Sequence, residues 1–364
     1  MGRALAQKLM KIFNNQLHQL HRGQQEMYRG RLVDCHEVPQ RLDHVLSELA
    51  KRPVGQLMTP SPHLNLDAAL LGVHTSDYLA FLSTAWEEWV KLSPDNANRD
   101  ALPSVWPLPG MHAFRMDKPP VNFAAKLGQY AFDAGTPLMA GTWTAAREGA
   151  ACAVAAAQAL IAGERATVAL TRPPGHHAGA AYMGGYCFLN NAAIAAQYLR
   201  QHGMHRVAVL DIDYHHGNGT QSIFDERPDV YTVSIHGEPL TEYPFFLGHA
   251  DERGSGAGEG YNLNFPLPRG TPFETWYATL QRALQVISDF APQALVVPLG
   301  LDTYEADPIS GFKLKSEHYL QVGRALASLR LPTVFTLEGG YAVSDFGINT
   351  VNVLEGYQSD STSP

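Results

Sequence analysis

Cysteine is scarce in this chain of 364 residues. Cys35, Cys152 and Cys187 are the only three, and none forms a Cys-x-x-Cys pair. An odd count without that spacing excludes a disulfide framework and a paired-thiolate metal site, and it fits a reducing compartment. Long apolar runs are also missing. The run 294–301 is among the longest, far short of the ~18 residues that a membrane span needs. Residues 1–9 carry Arg3 and Lys8 but no apolar core, so they do not form a secretory signal, and a cytoplasmic location is expected. Positive charge is in deficit as well. Lys and Arg number 27 against 35 Asp and Glu, a net charge of -8 that argues against a nucleic-acid surface and suits a small cationic substrate. With 45% hydrophobic residues the chain can bury a large core, which excludes a disordered or collagen-like protein.

What is present is a regular alternation from about residue 144 to 345. An Ala-rich stretch over 144–162 has high helix propensity and leads into a β-branched run at 166–170. Helical patterns over 190–202, 220–224, 273–290 and 316–329 then alternate with apolar runs at 206–210, 230–235, 294–299 and 333–337. These runs are continuous, as in strands buried on both faces. The pattern therefore predicts an α/β domain, a doubly wound and mainly parallel sheet with helices on both faces. An earlier strand is expected to begin near Lys11, so Met10 is a candidate start of the native chain. Pro298 argues against a central place for its strand, because proline cannot donate to a ladder. Residues 92–137, rich in Pro, Asn and Asp, read as a long functional or interfacial excursion from the sheet. The expected organisation is one domain over 10–357, with a short extension (1–9) and a polar tail (358–364).

Open parallel sheets bind ligands outside the carboxyl ends of their strands. Four runs deliver reactive groups there: residues 172–177, residues 211–218, Asp302, and residues 338–341. Asp213 and His215 are two apart and point the same way on an extended strand end. With Asp302 they supply two carboxylates and an imidazole. Three protein ligands leave a position for water, as a catalytic zinc requires; the motif taken alone also suits a plain polar turn. His176 and His177 follow Pro-Pro-Gly and suit proton transfer better than ligation, although each alone can be a satisfied core histidine. Tyr341, after two glycines, can offer its hydroxyl to a developing oxyanion or can simply pack in the core. Asp211 and Asn218 can orient the two histidines. Cys187, between Tyr186 and Phe188 with no cationic neighbour, is expected to be a packing residue.

At these residues the sequence resembles the arginase/deacetylase superfamily, specifically the histone-deacetylase-like amidohydrolases and most nearly the bacterial acetylpolyamine amidohydrolases. The resemblance spans residues 10–357 through separate motifs at Arg41, 74–79, 172–177, 184–191, 211–220, 300–304 and 338–341. It implies zinc-dependent hydrolysis of N-acetylated amines, with acetylpolyamines foremost and protein acetyl-lysine as the alternative. One zinc ion would be held by Asp213, His215 and Asp302. His177 would act as general base and then acid, His176 as its electrostatic partner held by Asp211, and Tyr341 as donor to the acyl oxygen. Gly185 would accept the substrate amide N–H, and Tyr186 and Phe246 would wall a narrow channel. Structural potassium is implied at Asp211, Asp213, His215, Ser234 and Ile235, with a second site at Phe224, Arg227, Val230 and Tyr261. Asn218 stands where nuclear class I relatives carry an aspartate.

The stretch 103–110 resembles an insertion through which the acetylpolyamine enzymes form a homodimer and narrow the channel. Asp117, just beyond it, is a candidate rim carboxylate for a distal ammonium, or else an ordinary solvated loop charge. Two further readings fit less well. A binuclear manganese ureohydrolase needs bridging carboxylates where this chain has a His-His pair, and an inert acyl-binding module has no need of the full ligand set with Tyr341.

Overall fold

The computed structural model describes residues 9–107 and 118–360. The first part of the chain holds β1 (Met10–Asn14), a hairpin of β2 (Gln25–Tyr28) and β3 (Arg31–Asp34), α1 (Gln40–Lys51), β4 (Gly55–Met58), α2 (Leu66–Leu71), α3 (Ser76–Leu92) and α4 (Phe123–Gln129). The alternating part follows with α5 (Thr142–Ile161), β5 (Ala166–Leu170), α6 (Asn191–Gln201), β6 (Val207–Asp211), α7 (Asn218–Phe224) and β7 (Val230–Gly237). It ends with β8 (Asn262–Leu267), α8 (Phe273–Phe290), β9 (Ala294–Leu299), α9 (His318–Ala327), β10 (Thr333–Leu337) and α10 (Val343–Asp360). Eight strands make one parallel sheet in the order β4-β1-β5-β10-β9-β6-β7-β8. The doubly wound α/β architecture is therefore as expected. The last strand of the chain, β10, sits in the middle of the sheet between β5 and β9.

Consecutive strand residues serve opposite faces, and so the sheet divides the core in two. Val207, Val209, Ala294, Val296 and Val334 pack with α2, α3, α5 and α6 on one side. Ala208, Leu210, Leu295, Val297, Phe335 and Leu337 pack with α1, α8, α9 and α10 on the other. The alanines of α5 let that helix lie close to the strands; Ala150, Ala153, Ala156 and Ala157 are completely buried.

Pro298 does occupy a central strand, contrary to the expectation. The ladder between β9 and β6 pairs Val207 with Ala294 and Val209 with Val296 and stops there. No donor is needed from residue 298, and its carbonyl accepts the Ile212 N–H at 3.2 Å. The described residues of 92–137 hold more regular structure than their composition suggests, with α4 and a short 3-10 turn at Pro94–Asn98. Residues 108–117, including Asp117, lie outside the described part. No helix among the described residues is long and apolar enough to cross a membrane, and the three cysteines are free.

Candidate active site

The loops that follow β5, β6, β9 and β10 meet at one edge of the sheet. Asp213 and His215 lie just past the end of β6 in a bend, not on an extended strand as expected, yet their side chains still converge. The ligand atoms of Asp213, His215 and Asp302 lie within 4.8 Å of one another, all buried. Each carboxylate is aimed by backbone donors. Asp213 accepts from His215 N at 2.8 Å and from Gly339 N at 2.8 Å, and Asp302 accepts from Tyr214 N at 2.8 Å. His215 Nδ1 stands 2.9 Å from Asp302 Oδ2 and 3.4 Å from Asp213 Oδ1. Two buried carboxylates so close repel each other. Burial and the charge of Asp213 push the Asp302 carboxyl up to about 7, so a bound cation relieves the strain of this donor set. Oxygen and imidazole donors at three points fit a divalent ion such as zinc.

A second buried group, His176, Cys187 and Glu338, also converges. Its members are already committed: Glu338 accepts from Gly175 N at 2.6 Å and His176 N at 3.1 Å, and none of the three lines the cavity described below. Its role is to fix the turn that carries the two histidines.

Those histidines are in different electrical states. His176 Nδ1 is 2.9 Å from Asp211 Oδ2. Burial opposes its charged form, but Asp213 and Asp211 outweigh burial and lift it to about 10. His177 Nδ1 is 2.6 Å from the Asn218 amide oxygen, which leaves Nε2 as its basic nitrogen. Burial and the neighbouring His176 charge hold its pKa well below the ordinary value, so His177 is neutral and able to take a proton. Tyr341 is pinned at its backbone N–H by Asp307 at 2.6 Å, with its ring 5.5 Å from that of Tyr186. Burial raises the phenol far above its usual pKa and keeps its proton in place as a donor.

A cavity of about 250 Å³ opens onto His177, His215 and Tyr341. Gly185 and Tyr186 form part of its wall. Gly185 has φ 55°, and a Cβ there would meet the His177 ring at 2.2 Å, so only glycine fits. Its carbonyl accepts from the Cys187 thiol at 3.2 Å. Phe246 does not line this cavity. Phe245 has φ 70° and turns its ring inward with Tyr243, and the tight bond from Phe246 N to Pro244 O at 2.9 Å carries Phe246 out to solvent, where it is 87% exposed. Asp133 is a lining residue that the sequence did not single out. It accepts from Gly185 N at 2.7 Å and from the Tyr243 hydroxyl at 2.6 Å, tying two walls together. Arg29, Tyr186 and Phe245 all combine a positive φ with a place in this lining, the kind of strain that gathers at functional sites.

Beneath the tyrosine loop lies a buried ionic triad. Glu37 holds Arg41 at 2.8 Å and Arg172 at 2.9 Å, and Arg41 donates to Gly340 O at 2.6 Å and to Glu338 O. Burial favours a protonated Glu37, but Arg172 and Arg41 keep its carboxyl below the usual range. Removing one member of a buried pair leaves an uncompensated charge. Glu37→Gln is therefore expected to destabilise the protein by about 3 kcal/mol, read as a lower urea midpoint in equilibrium unfolding.

Of the residues expected to hold potassium, the first set lies near this centre and the second towards the other end of β7. Asp211 of β6 is paired in register with Ser234 of β7, next to Ile235, and Asp213 and His215 follow it. Phe224 and Arg227 are joined by a bond from Arg227 N to Phe224 O at 2.9 Å, at the loop that leads to Val230; Tyr261 accepts from Thr232 N at 3.1 Å one strand away.

Comparison with known proteins makes this chain a hydrolase that acts on acetylated amines. Residues 35–356 match the family described as the histone deacetylase domain. The chain belongs to that family. It is 47% identical over 341 residues to acetylpolyamine amidohydrolase 2 of Pseudomonas aeruginosa, covering 94% of this chain and 96% of that protein. It is 41% identical over 349 residues to the acetylpolyamine amidohydrolase of Mycoplana ramosa, covering 95% and 99%. A crystal structure of acetylpolyamine aminohydrolase from Burkholderia pseudomallei superimposes with a TM-score of 0.89 at 37% identity, over 96% of this chain and 99% of that one.

Proposed function

We propose that this enzyme releases acetate from N-acetylated amines, acetylated polyamines first among them, using a zinc ion held by Asp213, His215 and Asp302. The observation that carries this reading is the converging ligand set, whose His215 lines one cavity together with His177 and Tyr341. The chemistry that zinc supplies when bound is Lewis acidity towards an acyl carbonyl and towards water. The remaining tasks fall to the chain. His177 Nε2 takes the proton of the attacking water and returns it to the leaving amine, and the charge on His176 keeps that proton from resting on His177. Tyr341 donates to the oxygen that gains negative charge. The Gly185 carbonyl accepts the amide N–H, and the rings of Tyr186, Tyr243 and Phe245 enclose the aliphatic chain. The names of the similar proteins support the polyamine substrate. A protein acetyl-lysine deacetylase is the alternative with the same chemistry.

Potassium at the two sites near Ser234 and Arg227, a homodimer formed through residues 92–137, a rim role for Asp117, and a cytoplasmic location complete the reading. The boundaries of a catalytic domain over 10–357 belong to it as well.

The test combines metal analysis with kcat/KM for acetylputrescine, acetylspermidine and an acetyl-lysine peptide. One zinc per chain, loss of activity with a chelator and its return with zinc, and a preference for the polyamines are expected. Equal turnover of the peptide would overturn the polyamine assignment. Asn218→Asp is expected to move the acidic limb of the pH profile upward by about one unit. The base must be neutral, activity falls as pH drops through its pKa, and a carboxylate at Nδ1 raises that pKa; a limb that stays in place contradicts the role given to His177.

A further inference from the structure

The cavity mouth carries a charge pattern that a plain polyamine chain leaves unused. Among the charged side chains of the lining, Arg29 is a cation and Asp133 an anion, while Glu242 is matched by Arg269 at 3.0 Å. A purely cationic chain end thus meets a like charge at Arg29. Arg29 also occupies an unusual backbone position. With φ 49°, followed by Gly30 at 79°, it opens the two-residue turn that joins β2 to β3, where Asn, Asp or Gly is preferred. Nothing in the turn itself calls for arginine. Among the described residues no acidic side chain pairs with its guanidinium, which lies 5.4 Å from the Tyr28 ring at the rim. Among the described residues Asp133 meets backbone and phenol donors but no cation, so its charge is not cancelled there either. Between this rim and the floor at Tyr341 the wall is chiefly Tyr186, Tyr243, Phe245 and Ile309, suited to a short methylene chain.

We propose that Arg29 binds a carboxylate at the distal end of the substrate, so that the enzyme accepts amino acids acetylated on a side-chain amine. The head group of such a molecule is a zwitterion. Its carboxylate meets the planar donor fork of Arg29, and its ammonium meets Asp133. This inference rests on the amide-hydrolysis reading above and adds a substrate class to it.

Nε-Acetyl-lysine and N-acetylcadaverine differ only by that carboxylate and make a matched pair. kcat/KM is measured on both for the wild type, Arg29→Ala and Arg29→Lys. Arg29→Ala is expected to lower the value for acetyl-lysine about fivefold, through KM, and to raise it for acetylcadaverine about twofold, the scale of an exposed ion pair. Arg29→Lys should recover part of the loss. Equal changes on both substrates, no change on acetyl-lysine, or a wild type that cleaves acetylcadaverine but not acetyl-lysine overturns the inference. A wild type inert towards both overturns the deacetylase reading itself.

Discussion

Replacing His177 by alanine is expected to lower kcat by about 10²–10⁴, the range that a positioned general base supplies. The residue is buried, faces the cavity and is kept neutral by burial and by the charge on His176. The variant should bind the same amount of zinc as the parent, because His177 is not among the converging ligands. That pairing of results separates lost proton transfer from a lost metal. A variant that retains more than about a tenth of the parent kcat would assign the base elsewhere.

The second large effect is expected for Tyr341→Phe, which removes one hydroxyl and leaves the ring in place. Loss of a single oxyanion donor lowers kcat by about 10²–10³. The loss should fall on kcat rather than KM, since the donor acts on charge that develops during reaction. The backbone anchor at Asp307 and the ring contact with Tyr186 do not involve the hydroxyl, so the thermal midpoint should stay within a few degrees of the parent. A fall of the midpoint comparable to that of Glu37→Gln would show that the hydroxyl supports the loop instead.

The central strands and their polar ends were legible because parallel strands leave a periodic record: continuous apolar runs, each closed by groups that cannot be buried unpaired. Even the boundaries of β5, β9 and β10 coincide with the apolar runs. Pro298 misled because the single-chain pattern does not tell where a neighbouring ladder ends. The cavity mouth was much less legible. Phe245 and Phe246 are adjacent and chemically identical, and only the left-handed backbone at Phe245 decides which ring turns inward. Asp133 comes from an irregular segment outside the alternating part of the chain, and its contact with Gly185 is a product of tertiary packing. Arg29-Gly30 did carry a local signal, a glycine in a two-residue turn between short strands, but the turn gives no hint of what it overhangs.

The position of β10 has a consequence for how the enzyme comes into being. Because the final strand is the keystone of the sheet, a ribosome must release nearly the whole polypeptide before β5 and β9 acquire their shared neighbour. The contacts His176–Asp211 and Asp213–Gly339 bridge separations of 35 and 126 residues and both depend on that late closure. Long-range pairing of this sort folds slowly. Chains interrupted before Thr333 would therefore have a cleft through the middle of the protein, and catalytic competence should arrive in one step, with no partly active fragment along the way.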